Sequence, residues 1–278
     1  MNFIKQNFLK ILTQIFMILF SAFFLIPLLW MISTSLKSPE QLFTPEVQWI
    51  PNPIVFENYI RAIQYVNLFN AFKNTFFLCF LNVLGVVVSS SLAAYAFAVL
   101  DWKCRELFFY ITLATMMLPD MVTLVPQFIL FQKLGMYGTL LPLTLPSMCG
   151  NAFYIFLLRQ FFLTVPKDLR EAAYLDGCNE FDIYRKIYLP LSVPALSVVA
   201  LFQFLFTWND LLKPSIYLID QNQYTLSLAL QQFKAQHGGT EWALLMAAAT
   251  MIVLPVIAIF FLAQKTFVQG ISMTGIKE

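Results

Sequence analysis

Charge is what this sequence has least of. Only 12% of its 278 residues are Asp, Glu, Lys or Arg, about half the ~25% of an average soluble domain. The formal net charge is +2, which leaves no basic footprint for nucleic acid. The single histidine, His237, excludes most histidine-built metal centres and proton relays. Cys79, Cys104, Cys149 and Cys178 are scattered without a CxxC pair and read as small hydrophobes or free thiols. The chain contains no Gly-Lys dipeptide and hence no GxxxxGK[ST] phosphate loop, so ATP hydrolysis is not expected of it. HExxH is missing too.

Apolar sequence is what it has most of. A spanning helix needs about 20 mostly apolar residues, and charge-poor runs predict six, over roughly residues 11–32, 74–100, 107–132, 141–160, 190–212 and 242–265. The first run is too long for a signal-peptide core of about 7–15 residues and lacks a small-x-small cleavage site, so it is expected to be retained as a span. Lys and Arg near span ends set orientation. With the N-terminus inside, Lys5, Lys10, Lys103, Arg105, Arg159, Lys167, Arg170, Arg185, Lys186, Lys265 and Lys277 are cytoplasmic. Lys37, Arg61, Lys73, Lys133, Lys213 and Lys234 then lie outside, and the bias places both termini in the cytoplasm. The expected fold is an all-α membrane protein forming one domain over 1–278. Its outer loops are 36–70, broken by Pro39, Pro45, Pro51 and Pro53 before a short helix over Glu57–Val66, and 219–241, ending in Gly238–Gly239.

One passage breaks the apolar pattern. Between Arg170 and Lys186 stand Arg170, Glu171, Asp176, Glu180, Asp182, Arg185 and Lys186. Pro166 followed by Lys167-Asp168 suits a helix start, predicting a two-turn helix over Asp168–Leu175. Asp176-Gly177 closes it, because glycine takes the left-handed conformation at no steric cost. Asn179 with Asp182 resembles a capping box for a second helix, with Ile183 and Ile187 on one face. The insert, 164–190, is therefore a helix–turn–helix at the cytoplasmic surface. Leu169, Ala172 and Ala173 form an apolar strip of little bulk, suited to a partner's groove.

Within the spans, polar residues are functional suspects. Asp120 follows Pro119, with Pro126 beyond, and predicts a broken, cavity-facing helix over Leu118–Pro126. Asn151, Gln203, Asn209 and Asp210 are further candidates for a solute path, and Trp208 beside Asn209 could offer an aromatic face to a sugar. Packing against a neighbour remains open for Asp120, as does neutralisation of Asp210 by Lys213. The settings "LPDMV" and "WNDLL" of Asp120 and Asp210 do not match those of intramembrane aspartyl proteases.

The insert "EAAYLDG" followed by "IYLPL" resembles the EAA loop of ATP-binding-cassette (ABC) importer permeases at Glu171, Ala172, Ala173, Asp176, Gly177, Leu189 and Pro190. "TWNDLLKPSIYLID", "QYTLSLAL", "LMAAATMIVLPV" and "QKTFVQGISMTGIKE" look like signatures of the carbohydrate-uptake branch, which includes the maltose and glycerol-phosphate systems. The resemblance covers roughly residues 10–278. It implies the six-helix type I importer fold in a prokaryotic inner membrane and a heterodimer with a second permease. It also implies two copies of a cytoplasmic ATPase that bind ATP and Mg, and an extracytoplasmic solute-binding protein delivering a sugar, polyol or sugar phosphate. No cofactor is expected on this chain. By the same resemblance, Glu171 makes a charged contact with the ATPase, Ala172 and Ala173 permit docking, and Gly177 sets the turn. The tail, with Gly270 and Gly275, also touches the ATPase, although this chain ends Gly-Ile-Lys-Glu where relatives end in a Gly-Ala-Val-Lys-Gly-like stretch. Gln236, His237, Gly238 and Gly239 reach towards the binding protein. The alternative is an ion-coupled carrier built around Asp120.

Overall fold

The computed structural model describes residues 2–234 and 240–274, with side chains over 9–234 and 240–264. Among these residues every regular element is helical. The chain forms two compact units, Met1–Leu68 with Ala229–Leu254, and Phe69–Leu228 with Pro255–Glu278.

The first unit holds α1 (Asn2–Ser35), the single turn α2 (Pro39–Leu42) and α3 (Glu57–Tyr65). Large apolar side chains of α1 from Leu9 to Leu29 are exposed, as suits a helix surrounded by lipid or by another chain. The end of α1 is clasped from the start of α3. Asn58 Nδ2 donates to the Ser35 and Lys37 carbonyls, both at 2.9 Å, and Ser35 Oγ shares a 2.7 Å bond with Tyr59 OH. These bonds occupy carbonyls that a helix terminus leaves unpaired. The expected short helix after the prolines is α3.

The second unit is built on α4 (Leu68–Ala98), whose first residue belongs to the other unit. It continues through α5 (Arg105–Thr115), α6 (Asp120–Lys133), α7 (Leu141–Met148), α8 (Ala152–Phe162), α9 (Lys167–Leu175) and α10 (Glu180–Ile183). A π turn (Tyr184–Tyr188), α11 (Leu189–Leu191), α12 (Val193–Asn209), α13 (Leu212–Tyr217) and α14 (Leu226–Gln231) follow, the last passing into the first unit at Ala229. The long α15 (Trp242–Thr274) contributes to both units.

Four of these stretches are long and apolar enough to cross a membrane: Leu9–Ser35, Leu68–Ala98, Leu141–Phe162 and Trp242–Gln264. Two bent pairs, α5 with α6 at 95° and Glu180–Leu191 with α12 at 78°, raise the number to as many as six if each is one span. The sequence-based expectation needs revision within the third. The helix is broken, but ahead of Asp120 and not across Leu118–Pro126: α5 ends at Thr115, Pro119 caps α6, and α6 continues through Pro126 to Lys133. Asp120 is the first residue of α6 and is exposed, where its charge complements the helix dipole. The fourth span is also interrupted. Gly150 takes φ +82°, and Asn151 Oδ1 accepts the amides of Phe153 (2.9 Å) and Tyr154 (3.4 Å), capping α8.

Packing in this unit has two centres. One gathers Tyr95, Leu158, Phe162, Ile183, Tyr184, Tyr188 and Val199 between α4, α8, the charged insert and α12. The other gathers Leu78, Phe131, Leu143, Tyr217 and Leu218. At Gly85 α4 packs tightly on α7: a Cβ there would lie 2.5 Å from Met148 Sδ and 3.3 Å from the Ser147 carbonyl oxygen. The thioether can swing aside, but the backbone oxygen cannot. Gly85→Leu is therefore expected to cost about 1–3 kcal/mol by overpacking, read as a lowered midpoint of thermal unfolding in detergent, with Gly85→Ala markedly milder.

Candidate functional site

The charged insert is built as its sequence dictates. Pro166 caps α9 with extended backbone, and Lys167 begins the helix one residue earlier than expected. At the far end Gly177 takes φ +80°. Its amide donates to the Tyr174 carbonyl and that of Cys178 to the Ala173 carbonyl, both at 3.0 Å. This is the paired 5→2 and 6→1 pattern of a Schellman motif. Asn179 Oδ1 then accepts the Asp182 amide at 2.9 Å and opens α10. Pro190 supplies no N–H to the carbonyl four residues back, and the backbone runs through the π turn just before it. Of the two isoleucines expected on one face, Ile183 is fully buried and Ile187 packs partly against the same cluster.

Orientation of α9 differs from the expectation in one respect. Ala173, placed on the outward strip with Leu169 and Ala172, is buried in the unit's own core, and Arg170, three residues before it on the same side of the helix, is half-buried. The outward surface comprises Leu169, Glu171, Ala172 and Leu175. Leu175 is 90% exposed, a bare leucine at the tip of a surface helix.

Behind that face lies a charged knot. Arg170 Nη2 donates to Glu180 Oε1 at 2.6 Å, Tyr95 OH to Glu180 Oε2 at 2.5 Å, and Tyr174 OH to Glu180 Oε1. The Arg170 guanidinium also lies 5.2 Å from the Tyr174 ring centroid. Burial opposes the Glu180 charge, but hydrogen bonds from Tyr174, Tyr95 and Arg170 outweigh it and hold the carboxyl below its ordinary range. A depressed carboxyl stabilises the fold above its unfolded pKa and loses that contribution as pH falls through the folded value. Protection of the α9 amides, taken relative to the intrinsic exchange rate at each pH, is therefore expected to be high at neutral pH and to fall in acid below the usual carboxylate range, and that fall should vanish in Glu180→Gln. On the exposed side, Asp182 is held low by the Lys186 ammonium 2.9 Å away.

A second polar group is buried among the spans. Asn82 Nδ2 donates to the Leu143 carbonyl (3.0 Å) and to Thr207 Oγ1 (3.3 Å). Gln203 Nε2 donates to the same hydroxyl at 3.1 Å. Asn82 Oδ1 and Thr225 Oγ1 are buried without a protein partner, beside a cavity of about 40 Å³ that Ser147, Asp210 and Lys213 also line. That is room for a water bridging such groups. The sequence pointed to Gln203 here but not to Asn82 or Thr207; an asparagine midway along a charge-free span was the available signal. A larger groove, about 780 Å³ between α4, α12 and α15, is walled by side chains such as Phe76, Val83, Leu196 and Leu262. Its serine, Ser197, is bonded to its own helix at 2.7 Å, so the groove offers little to a polar solute.

The remaining path candidates are not brought together. Trp208 is 2% exposed and enclosed by Phe204 (5.2 Å), Phe76 (5.1 Å) and Phe72 (6.3 Å); its ring packs the core. Asn209 is exposed and bonded to the Leu205 carbonyl at 2.8 Å. Asn151 is occupied as a helix cap. Asp210 accepts the Lys213 amide at 3.2 Å, while Lys213 Nζ lies 5.4 Å from the Phe206 ring. In the other unit, Pro39, Phe43, Asn58, Arg61 and Thr240–Leu244 wall a cleft of about 500 Å³. Gln236, His237, Gly238, Gly239 and Gly275 lie outside the described residues, and Gly270 falls on α15.

Apolar helices enclosing a few bonded polar groups, with one charged insert locked to a span, are those of an all-α, multi-pass membrane protein. The comparisons with known proteins carry this further. The family described as binding-protein-dependent transport system inner membrane component matches residues 85–273. The probable ABC transporter permease protein YurM of Bacillus subtilis is 34% identical over 265 residues, 95% of this chain and 87% of that one. The arabinooligosaccharides transport system permease protein AraQ of Halalkalibacterium halodurans is 31% identical over 254 residues, 90% of each. A chain from the crystal structure of a bacterial ABC transporter involved in alginate import shares the fold, with a TM-score of 0.84, 94% and 97% coverage and 23% identity. The chain belongs to the binding-protein-dependent transport system inner membrane component family: it is a permease subunit of an ABC importer, embedded in the inner membrane, and a transport component, not a catalyst.

Proposed function

We propose that this permease belongs to the carbohydrate-uptake branch, spans the membrane six times with both termini cytoplasmic, and moves a sugar-class solute, an oligosaccharide foremost. The names of its relatives support that solute class: one transports arabinooligosaccharides, and the alginate transporter, which handles an acidic polysaccharide, has the same fold. A second permease completes the path, two copies of an ATPase bind ATP and Mg, and a binding protein delivers the solute. The cleft walled by Pro39, Arg61 and Thr240–Leu244 stands beside the segment 236–239 in sequence and supports a binding-protein contact there.

The observation that carries this reading is the insert 164–190. A helix closed at Gly177 and held from behind at Glu180 presents Leu169, Glu171, Ala172 and Leu175 outward. Such a rigid apolar tip with an acidic neighbour fits a groove on the ATPase subunit. Ala173 acts from the inside, its small side chain letting α9 lie close to the core. Leu189 and Pro190 lead from the insert into α12 through the 78° bend, and Asp176 caps α9 beside the turn. Gly270 and Gly275 are retained as tail contacts.

In the path, Asn82, Gln203 and Thr207 are the groups best suited to exchange hydrogen bonds with sugar hydroxyls. Asn82→Leu, nearly isosteric, is expected to leave membrane levels unchanged and to slow solute uptake roughly tenfold, the worth of about one hydrogen bond. Asp120 sits at the exposed start of α6, so Asp120→Asn is expected to have a smaller effect. The reading as a whole is tested by uptake into energised vesicles. Transport is expected to continue when ion gradients are collapsed at constant ATP. Loss of uptake with the gradient, while ATP is held, would replace the ABC reading of this chain with an ion-coupled one.

A further inference from the structure

Glu180 lies outside the matched EAA pattern, yet its carboxylate is the most heavily bonded group of the insert. One oxygen takes the Arg170 guanidinium of α9 at 2.6 Å and the Tyr174 hydroxyl; the other takes the Tyr95 hydroxyl of α4 at 2.5 Å. Four residues before Tyr95, Ser91 Oγ is bonded to Tyr184 OH at 2.7 Å. Ser91 and Tyr95 share one face of α4, so the insert grips that helix at two points one turn apart. The first of these contacts is direct from the start of α10, and the second comes from the π turn.

We propose that Glu180 is a positioning residue that joins α9 rigidly to α4 through Arg170 and Tyr95, so that a displacement of α9 moves α4 as one body. The proposal rests on the reading of α9 as the ATPase-docking helix and adds the route by which its motion enters the spans. Tyr95 and Asn82 are thirteen positions apart on α4, about 20 Å at 1.5 Å per residue. A shift at Tyr95 thus arrives at the Asn82–Gln203–Thr207 cluster without crossing a loop. Charge and geometry suit the task. Arg170 and Glu180 are 25% and 33% exposed in their side chains, shielded enough to keep a charge-assisted bond strong.

The Tyr95 hydroxyl can be separated from its ring. The ring makes edge contacts with Tyr184 (5.2 Å), Tyr188 (5.1 Å) and Phe162 (6.4 Å), which Tyr95→Phe retains. The test uses the full transporter in nanodiscs with spin labels at Lys73 and Lys133, both exposed, before and after trapping with ATP and orthovanadate. In the parent, trapping is expected to shift the interlabel distance. In Tyr95→Phe and Glu180→Gln the ATPase is expected to stay bound and trap nucleotide, while the shift is lost. The exchange Arg170→Glu with Glu180→Arg is expected to restore part of the shift that either single change removes. Should the charge variants fail to accumulate, Tyr95→Phe decides alone. An undiminished shift in Tyr95→Phe, or no shift in the parent, overturns the proposal. Failure of the docking reading looks different: the ATPase stays bound when Leu175 is replaced by Asp, whatever the shift in Tyr95→Phe.

Discussion

Gly177→Val is expected to uncouple the transporter while leaving its chain in the membrane. The backbone at Gly177 sits at φ +80°, where an L-residue costs about 1–2 kcal/mol and a β-branched one is a genuine outlier. Beyond its own chain neighbours, nothing lies within 4 Å of where its Cβ would be. The penalty is therefore conformational, confined to the turn, and not a clash that spreads into the core. The chain relieves it by opening the Schellman closure, releasing the Gly177 and Cys178 amides from Tyr174 and Ala173. The tip of α9 then frays and Leu175 loses its fixed position. Retention of the ATPase during purification is expected to fall about tenfold, which corresponds to the 1–2 kcal/mol of strain. Gly177→Asn is the internal control. Asparagine visits the left-handed region far more readily, and this variant is expected to keep most of the activity.

Leu175→Asp is expected to have the larger effect on assembly and the smaller one on the permease itself. At 90% exposure the leucine contributes almost nothing to the isolated fold, so unfolding in detergent should be unchanged. In the assembled transporter the same side chain would be buried. Covering a leucine is worth about 1.5–3 kcal/mol, and a desolvated carboxylate adds its own penalty. A loss of about 2 kcal/mol weakens binding roughly 30-fold. Titration of the purified ATPase against the permease in nanodiscs gives this number directly. Leu163, also exposed at 51% but on the turn before Pro166, is the comparison: Leu163→Asp is expected to leave ATPase affinity within about threefold, as for a residue outside the contact.

Much of the insert was legible in the sequence because its signals are local. Pro166, Gly177 and Asn179 each fix backbone conformation through their own chemistry, and the observed helix limits fall within one residue of those expected. The apolar runs likewise announced membrane helices by composition alone. What sequence could not show depends on which face turns inward. Ala173 is one residue from Ala172 in an identical-looking pair, and only the packing of α9 against the core cluster shows which of the two turns inward. Asp120 looked like the proline-broken centre of a span, whereas the break precedes it, since Pro119 can begin a helix as readily as end one. Trp208 beside Asn209 suggested an aromatic sugar platform, but consecutive helical residues point about 100° apart, and the indole went to the phenylalanine cluster. Asn82 and Thr207 are 125 positions apart in sequence, so their meeting was invisible until α4 and α12 were packed together.

Residues 164–190 are proposed to join this permease to an ATPase. The most direct measurement is purification of the tagged chain from native membranes in mild detergent, with co-purifying chains identified and quantified by mass spectrometry, alongside Gly177→Val and Leu175→Asp at matched membrane levels. A P-loop ATPase and a second permease are expected to accompany the parent, and both variants are expected to lose the ATPase and keep the second permease. Equal ATPase recovery from parent and variants would contradict this.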